Sequence, residues 1–123
     1  MSFSTYFDPS SLFAGASDVI ARTVTFKGGH GVLARGTVVG RITASDKYVP
    51  CVATADDGSQ VPSAIVAADV DTTSADVAGP GYFHGEFAAE KLVIDASFTA
   101  ATLEAALRAN NIAIEVRSLG ALG

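Results

Sequence analysis

Short hydrophobic runs separated by turn residues fill the centre of the chain. Three such runs follow one another, over residues 33–42, 48–53 and 64–69. The breaks between them hold Asp46-Lys47 and the sequence Asp56-Asp57-Gly58-Ser59, which are residue types that favour turns. Because no helical repeat of apolar residues crosses this stretch, the pattern predicts strand, turn, strand, turn and strand.

The sequence before this central stretch predicts another strand over residues 19–26. Alternation places Ile20, Val24 and Phe26 on one face together with Arg22, and the threonines between them on the other. One apolar and one polar face are typical of a half-buried strand.

Two more strands are predicted towards the C-terminus, over residues 82–87 and 112–117. In the first of them, the polar face is expected to carry Tyr82, His84 and Glu86. Gly79-Pro80-Gly81 comes just before it and predicts a turn, because glycine and proline interrupt regular strands.

One helix is predicted near residues 99–109. Thr99 can cap the free N–H groups of its first turn, and Phe98 can pack on Leu103 as a hydrophobic staple. Apolar residues repeat at helical spacing at Leu103, Ala106 and Leu107. Asn110-Asn111 predicts a left-handed stop. The predicted class is therefore mostly β with one helix (α+β).

The first 18 residues differ from the rest in carrying large apolar side chains among small polar ones. These side chains are Phe3, Tyr6, Phe7, Leu12 and Phe13. Asp8-Pro9 interrupts regular structure, and so short a segment cannot bury such residues against itself. We interpret residues 1–18 as an extended arm and residues 19–123 as a single β-rich domain. The arm either caps its own domain or docks on a different chain.

Composition limits the partners that the chain can bind. The 123 residues carry a net charge of −5 with only eight Lys and Arg, which argues against nucleic acid, because such binding depends on basic residues that neutralise phosphates. No apolar run is long enough to span a bilayer, and no signal peptide is apparent, so we expect synthesis in a cytosol and no membrane partner. Hydrophobic residues make up 49% of the chain, which suggests that part of its surface meets another chain.

The single cysteine, Cys51, excludes an internal disulfide and any site built from several cysteines. It is expected to be a small apolar residue packed in a strand.

A glycine-rich loop at Gly28-Gly29-His30-Gly31 predicts positive φ angles and is a candidate phosphate cradle. A dinucleotide-binding loop needs a helix directly after its glycines. The β-branched sequence Thr37-Val38-Val39 follows instead, which argues against that use.

Three carboxylates, Asp69, Asp71 and Asp76, suggest a calcium loop. An EF-hand that opens at Asp69 needs Gly at its sixth position and Glu at its twelfth. The chain has Ser74 and Pro80 there, so solvated loop carboxylates are the better interpretation.

Catalytic patterns are otherwise weak. His84 and Glu86 would lie near each other on one strand face, but no third ligand or nucleophile accompanies them. Asp56-Asp57 is better explained as part of a turn. The chain has no nucleophile elbow, Walker loop, HExxH helix or CxxC pair. We therefore expect no enzyme activity, no metal site and no cofactor.

The central pattern resembles the head decoration proteins of tailed bacteriophages, the family of the lambda capsid-stabilising protein. The resemblance lies in Leu-Ala-Arg-Gly-Thr-Val-Val-Gly from residue 33, Tyr-Val-Pro from 48, Asp-Gly-Ser from 57 and Ala-Ile-Val-Ala-Ala-Asp from 64. It implies a β-clip-like fold and a homotrimer on local three-fold positions of the outer capsid surface. In that family the shell expands as DNA is packaged, and the bound trimers then clamp neighbouring capsomers.

The resemblance also implies a partner and a place for the arm. The partner is the major capsid protein, and the arm residues would be its capsid-binding site, so that the protein is made in the host cytoplasm and works on the virion. A different hypothesis is a trimeric binding module whose loops recognise a carbohydrate or a host surface. That hypothesis predicts exposed aromatic residues on loops, whereas here the sequence places them in the arm and in strands.

Overall fold

Eight strands and one α-helix are present in the computed structural model, which describes residues 19–110 and 112–117. The strands are β1 Ile20–Phe26, β2 Val32–Leu33, β3 Val38–Arg41, β4 Tyr48–Pro50, β5 Pro62–Val66, β6 Val70–Asp71, β7 Val77–Ala88 and β8 Ile114–Arg117. The helix α1 spans Ala100–Ala109, and a short 3-10 turn covers Ala89–Lys91. This confirms the mostly β class with one helix. Within the described residues, no helix is long and apolar enough to span a bilayer.

The main sheet curves until its first strand meets β7, which produces a barrel-like body. Its strand order is β1-β4-β3-β5-β7-β8, with an additional pairing of β1 to β7. The antiparallel β1–β7 ladder has seven register pairs, whereas β1 meets β4 only at Phe26 and Tyr48. A second, two-stranded ladder joins β2 to β6. The body is therefore nearly closed, with one weak seam between β1 and β4.

Both faces of this sheet are buried, because alternate residues of its central strands enter two different hydrophobic clusters. The first cluster takes buried residues from β1 to β6: Phe26, Leu33, Val39, Tyr48, Ala64, Val66 and Val70. The second lies beneath α1 and consists of Val38, Cys51, Ile65, Phe87, Leu103, Leu107, Ile114 and Val116. Neighbours such as Val38 and Val39 thus serve opposite faces, which explains why the strands read as continuous apolar runs.

The predicted faces of β1 are confirmed at its C-terminal end only. Phe26 is fully buried and Val24 packs against the first cluster. Ile20 is 45% exposed, so its assignment to the buried face was wrong. The register shifts between Ile20 and Ala21, and such an irregularity turns the residues before it out of the alternation.

The turn predicted at Gly79-Pro80-Gly81 does not exist, because β7 runs straight through these residues. Gly79 faces Phe26 and Val70, and an added Cβ would lie only 2.9 Å from Val70 Cγ2. Glycine is thus required here for close packing. Pro80 lies opposite Thr23, and its carbonyl accepts a hydrogen bond from the Ala67 N–H at 3.0 Å.

The single polar face predicted for residues 82–87 was also wrong. Tyr82 packs against the second cluster, with its ring centroid 5.7 Å from that of Phe87. Alternation should put Tyr82 and Phe87 on opposite faces. Gly85, with φ of 145°, interrupts the alternation between them. At the same point β7 changes partner, pairing with β8 from Gly85 onwards.

The helix begins where the sequence predicts. The Thr99 hydroxyl accepts a hydrogen bond from the Thr102 N–H, and the Thr102 hydroxyl accepts one from the Thr99 N–H, so the two residues form a capping box. The left-handed stop is wrong for Asn110, whose φ is −106°. Its side-chain Nδ2 donates to the Ala106 carbonyl at 2.9 Å instead. Asn111 lies outside the described residues.

The turn at residues 56–59 is confirmed. The Asp57 carboxylate accepts hydrogen bonds from the Ser59 N–H at 3.0 Å and from the Ser59 hydroxyl at 2.5 Å. These bonds hold the pKa of Asp57 below its usual value. Gly58 has a φ of 103°, as the turn requires.

Cys51 is buried in the second cluster, as expected, but it lies just after β4 and not within a strand. Its thiol is the basis of a first prediction. Burial, helped by the charge of Asp95, raises the pKa of this thiol to about 12. The thiolate is the reactive form, so iodoacetamide at pH 8 should label the native protein about 100-fold more slowly than the urea-unfolded chain. Mass spectrometry of timed samples measures both rates, and fast labelling without urea would contradict the buried thiol.

Candidate functional site

The predicted arm, residues 1–18, is followed in the sequence by Val19, which comes immediately before β1. The predicted site residues Phe3, Tyr6, Phe7, Leu12 and Phe13 all lie outside the described residues. Their role therefore stays a prediction, and the structure describes only the surface around Val19 and the residues that follow it.

An exposed apolar pair marks this junction. Val19 is 42% exposed and Ile20 is 45% exposed. Val19 lies beside Gly85, where an added Cβ would be 3.5 Å from Val19 Cγ2. Large apolar side chains are thus presented to solvent at the point where the arm begins. Two further exposed valines, Val32 and Val93, lie on other elements.

The edge of β1 that faces away from β7 has almost no partner among the described residues. Only Phe26 pairs with β4, so Ile20 to Thr25 pair with β7 alone. We refer to this side of Ile20–Thr25 as the open edge of β1. Unpaired strand edges can accept an additional strand, and natural proteins usually protect them.

Pro80 shows in which direction the main chain of this edge points. Opposite residues in an antiparallel ladder alternate between pairs that exchange both hydrogen bonds and pairs that exchange none. Pro80 has no N–H, and its carbonyl bonds Ala67 on the side away from β1. Thr23 and Pro80 are therefore a pair that exchanges none, and the N–H and C=O of Thr23 point away from β7.

The same alternation turns the main-chain groups of Ala21 and Thr25 outwards. The far end of the strand agrees, because the Lys27 N–H donates to the Tyr48 carbonyl at 3.0 Å, on the β4 side. The open edge therefore presents a row of outward main-chain groups at every second residue.

The side chains beside this edge are aromatic and basic. Arg22 lies over the ring of Phe83, with its guanidinium carbon 5.5 Å from the ring centroid. The rings of Phe83 and Tyr48 are in edge-to-face contact, with their centroids 6.0 Å apart. Burial raises the pKa of the Tyr48 hydroxyl above its usual value. Cation–π contacts of this kind fix the position of an arginine while its charge stays accessible.

Arg22 has no carboxylate partner among the residues that the structure describes. Ion pairs found there include those of Arg41 with Asp46, Lys47 with Asp76 and Arg108 with Glu104, and none of these involves Arg22. Within the described body, the open edge of β1 therefore carries the positive charge of Arg22 without an ion-pair partner.

The glycine-rich loop does not form a phosphate cradle. Gly29 and Gly31 have positive φ angles, as predicted, but the chain continues into β2 and not into a helix. The Gly29 N–H already donates to the Thr72 carbonyl at 2.6 Å, and the Gly31 carbonyl accepts from Thr72. The loop is thus tied to the segment that follows β6.

The loop carboxylates also have local partners. Asp71 accepts hydrogen bonds from the N–H and hydroxyl of Thr73, and Asp76 accepts from the Gly28 N–H at 2.7 Å. Among the described residues, no group of three or more His, Cys, Asp or Glu is placed to bind a metal ion. His84 and Glu86 are both half-buried on β7.

Comparison with known families adds the deciding observation. A family model described as bacteriophage lambda head decoration protein D matches residues 7–114. The chain belongs to this family. A search of curated proteins found no match.

The head decoration protein is a structural component of the phage capsid, a type of protein that is typically not an enzyme. The match begins within the arm, at Phe7, and continues through the body to Ile114. It thus includes three of the five predicted arm residues, Phe7, Leu12 and Phe13. Phe3 and Tyr6 precede it.

Sequence reasoning missed the open edge of β1 for one reason. Gly79-Pro80-Gly81 was assigned to a turn, which removed the partner strand of β1 from the prediction. The signal that could have revealed it is the proline itself. Within a strand, proline is tolerated where no ladder hydrogen bond is needed, so it marks a pair whose groups point apart.

Proposed function

We propose that this decoration protein binds the outside of the expanded phage capsid as a homotrimer at local three-fold positions and cements the shell against internal pressure. The observation that carries the proposal is the family match over residues 7–114, which joins part of the arm and the body in one unit. The partner is the major capsid protein.

In this proposal, the arm is the segment that attaches the protein to the capsid. Its aromatic and aliphatic side chains are too numerous for a short segment to bury alone, and a site on the shell would remove them from water. An extended segment also gains main-chain hydrogen bonds when it adds to a sheet edge, while alternate side chains fill pockets. The exposed Val19 and Ile20 extend this apolar surface onto the body.

Three arms on one trimer make the attachment multivalent. Once one arm is bound, the others act at a high effective concentration, and the overall affinity can exceed that of one arm by about 100-fold or more if the geometry allows all arms to bind. The body suits the role of a rigid spacer between arms, because both faces of its central sheet are packed.

The proposal is tested by mixing the purified protein with unexpanded and expanded capsids. We expect binding to expanded capsids only, with added density in groups of three at local three-fold positions in electron cryomicroscopy. Decorated shells should also rupture at a higher temperature than bare ones. Equal binding to both forms, or single copies scattered over the surface, would contradict the proposal.

A further inference from the structure

We propose that the open edge of β1 receives an extended, acidic segment of the shell protein as an added strand. This inference rests on the proposed function and names the part of the partner that the body, as distinct from the arm, would bind. The main-chain groups of Ala21, Thr23 and Thr25 would form the ladder, and Arg22 would select the charge of the incoming segment.

The hydrogen-bonding capacity of the edge supports a strand as the occupant. Thr23 directs both of its main-chain groups outwards, as the Pro80 pairing requires, and the residues two positions away do the same. Ile20 to Thr25 measure about 20 Å at the rise of a strand. That is long enough to pair with a partner strand of ordinary length.

The side chains of the edge do not protect it. Natural edge strands commonly carry inward-pointing charges, prolines or bulges that prevent pairing. Here Ala21, Thr23 and Thr25 are small or β-branched residues that suit a strand, and all three are exposed. The irregularity at Ile20 lies at the end of the edge and leaves the remaining residues in regular register.

Charge favours an acidic segment. Arg22 is held over Phe83 and lacks a carboxylate partner in the described body. No acidic residue lies between Val19 and Lys27. A carboxylate on the added strand would therefore meet a positioned guanidinium without like-charge repulsion from β1 itself.

Continuity with the arm favours the shell protein over other occupants. The arm leads into Val19 without an intervening residue, so a shell segment that contacts the end of the arm lies next to the open edge. The chain's own arm carries only acidic charges, Asp8 and Asp18, but it is a weaker candidate, because Pro9 interrupts it and the proposed function places it on the shell.

The main test replaces the outward N–H of the edge. Thr23→Pro removes that donor but no β1–β7 hydrogen bond, since Thr23 and Pro80 exchange none. Thr23→Val is the matched control, because it keeps the N–H and the β-branched shape. We expect about tenfold weaker binding of Thr23→Pro to expanded capsids and unchanged binding of Thr23→Val. Equal affinity of the two full-length variants would overturn the proposal.

Hydrogen exchange on the unmodified protein gives a second test that does not depend on how Thr23→Pro folds. The amides of Ala21, Thr23 and Thr25 should exchange quickly in the free protein and become protected on expanded capsids. Protection already present in the free protein would overturn the proposal. If removal of residues 1–18 abolished this protection in the free protein, the chain's own arm would be the occupant of the edge. If the protection rose with protein concentration, a second copy of the chain would be the occupant.

Charge reversal tests the acidic character of the partner. Arg22→Glu should lower the affinity for expanded capsids several-fold at low salt and less at high salt. Lys91→Glu, an exposed change of the same charge in the 3-10 turn, should have little effect. Similar losses for both variants would contradict a role for Arg22.

If the unmodified protein does not bind capsids at all, the proposed function fails; if it binds and Thr23→Pro binds equally well, only this inference fails.

Discussion

Removal of residues 1–18 is expected to abolish co-sedimentation of the protein with expanded capsids while the body remains folded. The described body has two hydrophobic clusters, which are built from its own strands and helix. The attachment would lose its aromatic anchors and the multivalent advantage of three arms. Sedimentation with purified shells measures binding, and circular dichroism confirms that the shortened chain is folded.

Single substitutions in the arm should each cause part of this loss of capsid binding. Phe7→Ala and Phe13→Ala are each expected to weaken attachment by about 1 kcal/mol or more, because buried aromatic anchors carry much of the binding energy of an interface. Ser10→Ala, a polar change in the same segment, serves as the control and should bind normally. If the chain without residues 1–18 still co-sedimented fully with expanded capsids, the arm would not be the segment that attaches the protein.

Gly40→Ala is expected to have the largest effect on stability. Gly40 lies in β3, and an added Cβ would be 2.0 Å from the Ser59 carbonyl oxygen and 2.6 Å from its carbon. Ser59 is buried and fixed by Asp57, so the backbone of this turn cannot easily move away. We expect the free energy of unfolding to fall by about 3 kcal/mol or more, measured by urea denaturation.

Gly81→Ala provides the matched control, because Gly81 also lies within a strand of the same sheet. An added Cβ there would make ordinary contacts of 3.6 to 3.8 Å with Phe83, Val24 and Ala64. The φ of Gly81 is not positive, so alanine is not strained. We expect a change within about 0.5 kcal/mol, and a large loss at Gly81 together with a small one at Gly40 would contradict the packing described here.

Local chemistry was enough to predict much of this fold. Thr99 begins the helix because its side chain accepts a hydrogen bond from a free N–H of the first turn. Asp57 and Gly58 make a turn because the Asp57 carboxylate accepts the Ser59 N–H and Gly58 adopts the positive φ angle. Such features depend on residues within a few positions of each other. The class and the single helix followed from them.

The missed features depend on contacts between distant residues. Gly79-Pro80-Gly81 reads as a turn in isolation, but β1 and the Ala67 N–H, which are far away in the sequence, hold it extended. The exposure of Ile20 and the outward direction of Thr23 follow from the same ladder. The candidate edge could therefore be recognised only once the pairing of β1 with β7 was known, whereas the arm is inferred from composition alone and stays a prediction.

The seven register pairs between β1 and β7 have a mechanical consequence for a protein fastened through its N-terminus. Under the proposed attachment, tension on the arm enters the body at Val19. Where that tension runs along the axis of β1, it loads the hydrogen bonds of the ladder together, in shear. A pull at right angles would open them one after another at a much smaller force. An arm that pulled in line with β1 would thus load the junction with the body in its most resistant direction while the shell expands.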